Sequence, residues 1–473
     1  MFGAAFALTL ITMLGLVAGF AREWLLVADW GAGARTDAFV LALFIPEAVR
    51  MVLGGGLFAS AGLALWQQRA QPEQRSHWFS QISQSLLVGA GLVSLAISCS
   101  APWLVHLLGP GLTPEARQHT AQALGILAWS LPGMVAQAWW VVPDQARGRF
   151  LTTGLASLVY NLPTVILLAW RGTAVEEVEL SWSFVVGSLA MMTLALPGAL
   201  AAGLQVVRWQ GTREAWRELM ARLAPLLGSA AASQGVTLLE RIVASYLGEG
   251  VVTALNLARK LINLPLIALQ SLNQVLLSRM SRDDADRLSL LKRGLTAITV
   301  FSLPAALGLM LSAPALVTLL FPRVHGTQTV IALLAGYAAV LIPASWNTLL
   351  ARYHYAEGDT RGPMLADWQG QALQAASLLP LAWAAGASGI VAAYLLGSLL
   401  TGRLLCREAP LRQGLGLGRQ GAVSAVWIVA AWWGLRPFMA EAPTWRLLEA
   451  AVLAALVCGG LAMAWRRFLL KNH

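Results

Sequence analysis

With 473 residues, 57% hydrophobic side chains, 12% charged ones and a mean hydropathy of +0.64, the chain cannot clothe a soluble surface; soluble globular proteins carry roughly 25% charged residues. The formal net charge of +10 would suggest nucleic acid in a soluble protein, but in so apolar a chain it is first a topological signal. Cys99, Cys406 and Cys458, at unrelated spacings in or beside apolar segments, form neither a disulfide framework nor a metal set and read as buried small hydrophobes.

No Asp, Glu, Lys or Arg occurs in Met1–Ala21, Gln118–Pro143, Phe150–Trp170, Ser181–Val207, Gly294–Pro322 or Val324–Ala351. A membrane-crossing helix needs about 20 mostly apolar residues, so each gap predicts a span. In chain order the predicted spans are 2–28, 36–66, 80–108, 118–143, 150–170, 180–207, 223–247, 250–278, 294–321, 328–351, 364–385, 388–402, 420–435 and 447–465. The first is retained, because the N-terminus lacks a basic stretch and a small-residue cleavage site. The second carries Arg50 in mid-span, just before Gly54-Gly55-Gly56, where the helix should loosen. Trp368–Gly402 divides at the Gly-Ala-Ser-Gly run 386–389, and the last pair is joined through Pro437 and Pro443. The expectation is an all-α membrane protein of about fourteen transmembrane helices: a six-helix lobe over 1–208, a pseudo-symmetric one over 217–405, and an additional helix pair over 420–467.

With the N-terminus in the cytoplasm, 22 of the 33 Lys and Arg residues fall in cytoplasmic segments and six, Arg35, Arg117, Arg171, Arg323, Arg436 and Arg446, in outer loops. That is the positive-inside bias, and it puts both termini in the cytoplasm. It accounts for the net charge without a nucleic-acid partner. Trp66, Trp78, Trp170, Trp209, Trp216, Trp445 and Trp465 fall near span ends, where an aromatic belt would lie.

Five basic residues remain inside spans: Arg22, Arg50, Arg241, Arg259 and Lys260. Each would cost about 2.5–3.5 kcal/mol at a helix centre facing lipid, so they must line a wet cavity, pair with acids or snorkel. Arg22 precedes Glu23 and Arg241 follows Glu240, so either Arg fits a structural ion pair, and Arg22 is also placed to snorkel. Arg259 and Lys260 point about 100° apart, so only one should face a cavity. Arg22, Gly31 and Pro46 recur as Arg241, Gly250 and Pro265 at a constant offset of 219. Transporters built from repeats hold substrate near the midplane on broken helices. Two such basic, Pro-broken helix pairs facing each other would form a cationic cavity suited to phosphate or diphosphate.

These residues carry a resemblance. Gly19-Phe20-Ala21-Arg22-Glu23, Gly31-Ala32-Gly33, Thr36-Asp37-Ala38-Phe39, Pro46 and Arg50, within Leu14–Ser60, are similar to the first helical hairpin of the MurJ family. Leu239–Pro265 resembles that family's seventh and eighth helices, and fourteen spans fit it better than the twelve of other members of its superfamily. The resemblance implies a flippase that moves lipid II, an undecaprenyl-diphosphate-linked peptidoglycan precursor, across the bacterial inner membrane by alternating access. It places the diphosphate on Arg22, Arg50 and Lys260, with Arg259 adjacent, and cavity or gate support on Glu23, Asp37, Pro46, Glu240 and Arg241. Helices thirteen and fourteen resemble the family's lipid-tail groove. The chain departs from the pattern at Leu16, where the family has a further arginine, at Lys260, which lacks the planar fork, and within Gly54–Gly56, where the family has an acid. These departures suit a paralogue that moves an exopolysaccharide repeat unit on the same diphosphate carrier.

No cofactor is implied. Glu240 and Asp367 are a candidate Na⁺ or H⁺ site, the alternative for Asp367 being a solvated helix end. The expected partners are a polyprenyl-diphosphate-linked glycan, membrane lipids and glycan polymerase machinery. A multidrug or cation antiporter of the same superfamily would favour acidic cavity residues. An enzyme would need a nucleophile–base pair or metal spacing that the scattered histidines do not supply, and Arg323 and His325 are the nearest approach.

Overall fold

The computed structural model describes residues 2–54, 57–69, 71–205, 213–280, 287–321, 327–359, 361–407, 411, 426, 430–435 and 439–471. Among the described residues all regular structure is helical. The chain separates into two compact units, Met1–Glu249 and Gly250–His473.

The first unit comprises α1 (Phe2–Trp30), α2 (Ala34–Gly54), α3 (Leu57–Gln68), α4 (Pro72–Leu108), α5 (Pro114–Leu127), α6 (Leu131–Trp140), α7 (Val142–Ala146), α8 (Leu151–Arg171), α9 (Glu177–Ala201) and α10 (Arg213–Tyr246). The second comprises α11 (Val251–Met280), α12 (Arg287–Leu320), α13 (Thr327–Ala356), α14 (Arg361–Ala385), α15 (Ala387–Leu405) and α16 (Pro443–Lys471), with a short π-helical turn at Ala431–Leu435. Gly55, Gly56, Trp209, Arg323, His325, Arg436, Pro437 and most of the predicted span 420–435 lie outside the described residues.

Nine helical stretches among the described residues are long and apolar enough to cross a membrane. The helices α2, α10, α11 and α14 are not among them. They carry Arg50, Arg241, Arg259 and Asp367, respectively.

Local chemistry sets many of the boundaries. Pro114 opens α5, where its missing N–H is no loss, and the Thr113 hydroxyl accepts the Ala116 N–H at 3.3 Å. A reciprocal capping box between Glu176 and Glu179 starts α9. The predicted fourth span is interrupted: a 3₁₀ turn at Ala128–Ser130 precedes Pro132, and a second break at Val141 precedes Pro143. Gly386, at φ +58°, separates α14 from α15.

The two landmarks of the internal repeat have matching backbone conformations. Gly31 ends α1 at φ +75° and Gly250 precedes α11 at φ +83°, a region closed to most side chains. Pro46 and Pro265 do not break their helices as expected: each lies inside a continuous helix, α2 or α11, where a proline removes one backbone hydrogen bond without ending the helix.

The core of the first unit is aromatic. Trp139 is fully buried, stacked on Phe79 at 5.9 Å and edge-on to Trp78 at 5.3 Å and Phe58 at 6.2 Å. Such pairs add about 0.5–1.5 kcal/mol each beyond simple burial. Trp66 and Trp78 thus belong to this core rather than to an interfacial belt. Trp170, at 82% exposure, faces outward as a belt residue should. Cys99 is exposed on α4, and Cys406 and Cys458 are half-buried, so none is the buried hydrophobe expected from the sequence.

Small residues bring helices together. A Cβ on Gly187 of α9 would lie 2.2 Å from the Tyr160 carbonyl oxygen on α8. A Cβ on Gly111, in the turn after α4, would lie 1.9 Å from the Ser245 carbonyl oxygen at the end of α10, and the Gly111 N–H donates to Ser245 Oγ at 3.3 Å. In the second unit α12 packs on α13 and α16, and α11 packs on α13.

Candidate functional site

In the first unit, α1, α2, α8 and α9 bring four ionisable side chains into one cluster. Arg22 is buried, and its Nη2 contacts Glu23 Oε1 and Glu47 Oε1, each at 2.5 Å. Its Nη1 donates to Asn161 Oδ1 at 3.0 Å, and Phe184 covers the guanidinium with a ring face at 4.8 Å. The pairing with Glu23 matches one of the readings left open for Arg22, and snorkelling is excluded by its burial. Asn161 is itself fixed, donating from Nδ2 to the Ser157 carbonyl at 2.7 Å.

Arg50 behaves differently. It is half-buried, stands over the Tyr160 ring at 5.1 Å, and its Nε is buried with no hydrogen-bond partner. The Tyr160 hydroxyl is likewise buried with no hydrogen-bond partner. Tyr160 is held by an edge-on contact with Phe184 at 5.9 Å and by the close approach of its backbone to Gly187. Arg50 therefore presents a cation beside an unsatisfied hydroxyl, a pairing suited to an oxyanion.

Four more predicted residues lie in α2 and its surroundings. Asp37 is buried in the first turn of α2, next to Thr36, whose hydroxyl donates to the Gly31 carbonyl at 2.7 Å. Pro46 is buried within α2. Arg241 on α10 donates to the Val40 carbonyl at 3.1 Å and lies over Phe44 at 4.7 Å, so α10 is pinned to α2, and Glu240 beside it is fully buried.

The second unit holds a separate basic site. Arg259 lines a cavity of about 90 Å³ with Asn263, Tyr337, Leu341 and Tyr394. Arg259 Nε donates to the Tyr337 hydroxyl at 3.3 Å, and the guanidinium lies over the rings of Tyr337 and Tyr394 at 5.5 and 5.6 Å. Lys260 is half-buried and is not among the residues lining that cavity, as the helical offset between the two neighbours requires. Asp367, on α14, accepts from Gln371 Nε2 at 2.6 Å. Glu240 belongs to the first unit and Asp367 to the second.

Glu47, Asn161, Tyr160 and the two tyrosines around Arg259 were not anticipated. Glu47 carried a usable signal, an ionisable group inside a predicted span, and counting acids beside bases finds it. The others have no local signature.

The family model described as "Lipid II flippase MurJ" matches residues 27–456. A Thermotoga maritima relative, "Probable lipid II flippase MurJ", is 24% identical over 399 residues, covering 82% of this chain and 81% of its own. A solved structure, "Lipid II flippase MurJ, inward closed conformation", superposes with a TM-score of 0.84 at 17% identity over 98% of this chain and 100% of its own. A multidrug resistance MATE family transporter of the MOP superfamily, in an inward-facing conformation, follows at a TM-score of 0.68 with 13% identity, covering 87% of this chain and 95% of its own. Those likenesses establish the shared fold, and the family match over most of the sequence establishes kinship: this chain belongs to the lipid II flippase MurJ family of multi-pass membrane transporters.

Proposed function

We propose that this protein flips a polyprenyl-diphosphate-linked saccharide precursor across the bacterial inner membrane by alternating access, with both termini in the cytoplasm. The observation that carries the reading is Arg50, a cation within the helical hairpin that carries the family resemblance, standing beside the unsatisfied Tyr160 hydroxyl. A diphosphate supplies the charge and the acceptor oxygens that this pair lacks. Arg22, Lys260 and Arg259 are the further candidate diphosphate ligands. Glu23, Asp37, Pro46, Glu240 and Arg241 hold the surrounding helices, and Glu240 and Asp367 are candidates for a Na⁺ or H⁺ site. Lobes over 1–208 and 217–405 with a helix pair over 420–467 remain the proposed division of labour, and glycan polymerase machinery the proposed partner.

The preferred substrate is lipid II. A second reading, an exopolysaccharide repeat unit on the same carrier, is favoured by Leu16, Lys260 and Gly54–Gly56, which depart from the family pattern. Complementation of MurJ depletion in a Gram-negative host separates the two, with membrane insertion of the tagged protein checked. Rescue by the wild type but not by Arg50→Ala supports lipid II transport through this site. Failure of the inserted wild type rejects lipid II and moves the assignment to an exopolysaccharide intermediate.

A further inference from the structure

We propose that Glu47 is an internal stand-in for the substrate's diphosphate, and that its protonation releases Arg22 and so couples anion capture to proton uptake. The inference rests on the reading that Arg22 and Arg50 bind the diphosphate.

Both terminal nitrogens of Arg22 are engaged. Nη2 is shared between Glu23 and Glu47, Nη1 donates to Asn161, Phe184 covers the face, and Nε is buried with no hydrogen-bond partner. A phosphate oxygen can take the place at Nη2 only if a carboxylate leaves. Glu47 is the one placed to do so. Its side chain retains 11% exposure against 1% for Glu23, and it follows Pro46, which deprives the Ala42 carbonyl of its helical hydrogen bond and loosens α2 at that point. Arg50 lies three residues further along α2, on the same side of the helix as Glu47. Glu47 nevertheless pairs with Arg22 across helices, and Arg50 makes no ion pair among the described residues.

The charge balance points the same way. Arg22, Glu23, Glu47 and Arg50 sum to neutrality, so a diphosphate entering the cluster would leave excess negative charge in a medium of low dielectric. With a proton from water on Glu47 Oε1, the ion pair to Arg22 breaks, the cluster becomes cationic, and Arg22 can donate to a phosphate oxygen. On release the proton returns to water and Glu47 recloses on Arg22.

The groups facing the cluster among the described residues are these. On α8 the facing groups are the Tyr160 hydroxyl and the neutral Asn161 amide, and on α9 Phe184 faces the cluster. From α10, Arg241 is engaged at Val40 and Phe44, next to the buried Glu240. On α5, Arg117 is held by the Pro110 carbonyl and His119 lies 3.8 Å from Glu177. The helices α3 and α6 contain no titratable side chain.

The test is calorimetric titration of the full chain in nanodiscs with geranylgeranyl diphosphate, in buffers of different ionisation enthalpy and across neutral pH. The wild type is expected to take up a proton with each ligand bound and to lose affinity as pH rises, by about tenfold per pH unit at full linkage. Titration of the ligand's own phosphates is common to all variants and cancels in the difference between them. Glu47→Gln should lose the extra proton taken up by the wild type and bind at least as tightly at high pH as the wild type does at low pH. Glu47→Asp should restore the linkage. Equal proton uptake by the wild type and Glu47→Gln would overturn the proposal. Loss of binding in Arg50→Ala, with no proton linkage in the wild type, would reject Glu47 but keep the diphosphate site. Wild-type binding that Arg50→Ala leaves intact, or no binding at all, would reject the diphosphate site and Glu47 with it.

Discussion

Arg22 in the first unit and Arg259 in the second are the same side chain kept inside a membrane-protein helix by different means. Arg22 is neutralised by two carboxylates and an amide, and its guanidinium has one aromatic cover. Arg259 is cradled by two tyrosine rings and a phenol oxygen beside a cavity. Neutralisation is the stronger device but makes the cation unavailable until an acid yields. Aromatic faces hold a guanidinium with about 0.5–2 kcal/mol each and leave room beside it for a ligand. The difference teaches that intramembrane charge alone does not mark a ligand; what already occupies each donor decides it.

The largest way to break this contrast is Arg22→Met. It strands Glu23 and Glu47 without their shared cation and should cost about 3–5 kcal/mol, read as a fall in thermal unfolding temperature in detergent. Adding Glu47→Gln to that variant should recover part of the loss. If Arg22→Met is neutral, the ion cluster contributes nothing to the fold.

Gly187→Ala tests the same cluster without altering any charge. The new methyl would press on the Tyr160 backbone and should cost about 1–3 kcal/mol. It should also weaken diphosphate binding through Arg50, because Tyr160 is the surface on which Arg50 rests. Unchanged binding would show that Tyr160 does not position Arg50.

The aromatic site should be more forgiving. Tyr337→Phe removes one hydrogen bond to Arg259 but keeps the ring, so a loss of about 0.5–1.5 kcal/mol is expected in the same melting assay. A loss as large as that of Arg22→Met would contradict the comparison. The smallest effect on stability, within about 0.5 kcal/mol, is expected of Asp367→Asn, whose side chain accepts from the neighbouring Gln371 on its own helix. Its readout is ion dependence of transport in vesicles, and coupling that survives the substitution removes Asp367 from the candidate cation site.

The parts of this protein that were legible in the sequence are those written in local backbone chemistry or in composition. The charge-free stretches announced the helices, and the Gly31 and Gly250 turns could be read because φ belongs to the residue itself, whereas Pro46 and Pro265 read as breaks in the sequence and lie inside continuous helices. Pairing was harder. Glu47 and Asn161 lie 25 and 139 residues from Arg22, and Tyr337 lies 78 from Arg259, separations that only the packing of helices can close. Trp66 and Trp78 show a third limit. Nearness to a span end fixes depth in the bilayer but not the side of the helix, and both rings turn inward onto Phe79 and Trp139.

The contact between Gly111 and Ser245 makes residue 111 a graded brake. Two backbones touch there with no side chain between them, so any volume added at 111 is converted directly into separation of the α4–α5 turn from the end of α10. A series from Gly to Ala to Val would set that gap in steps without touching a charge. Turnover plotted against the added volume would then test whether the proposed transport depends on how closely these two backbones approach.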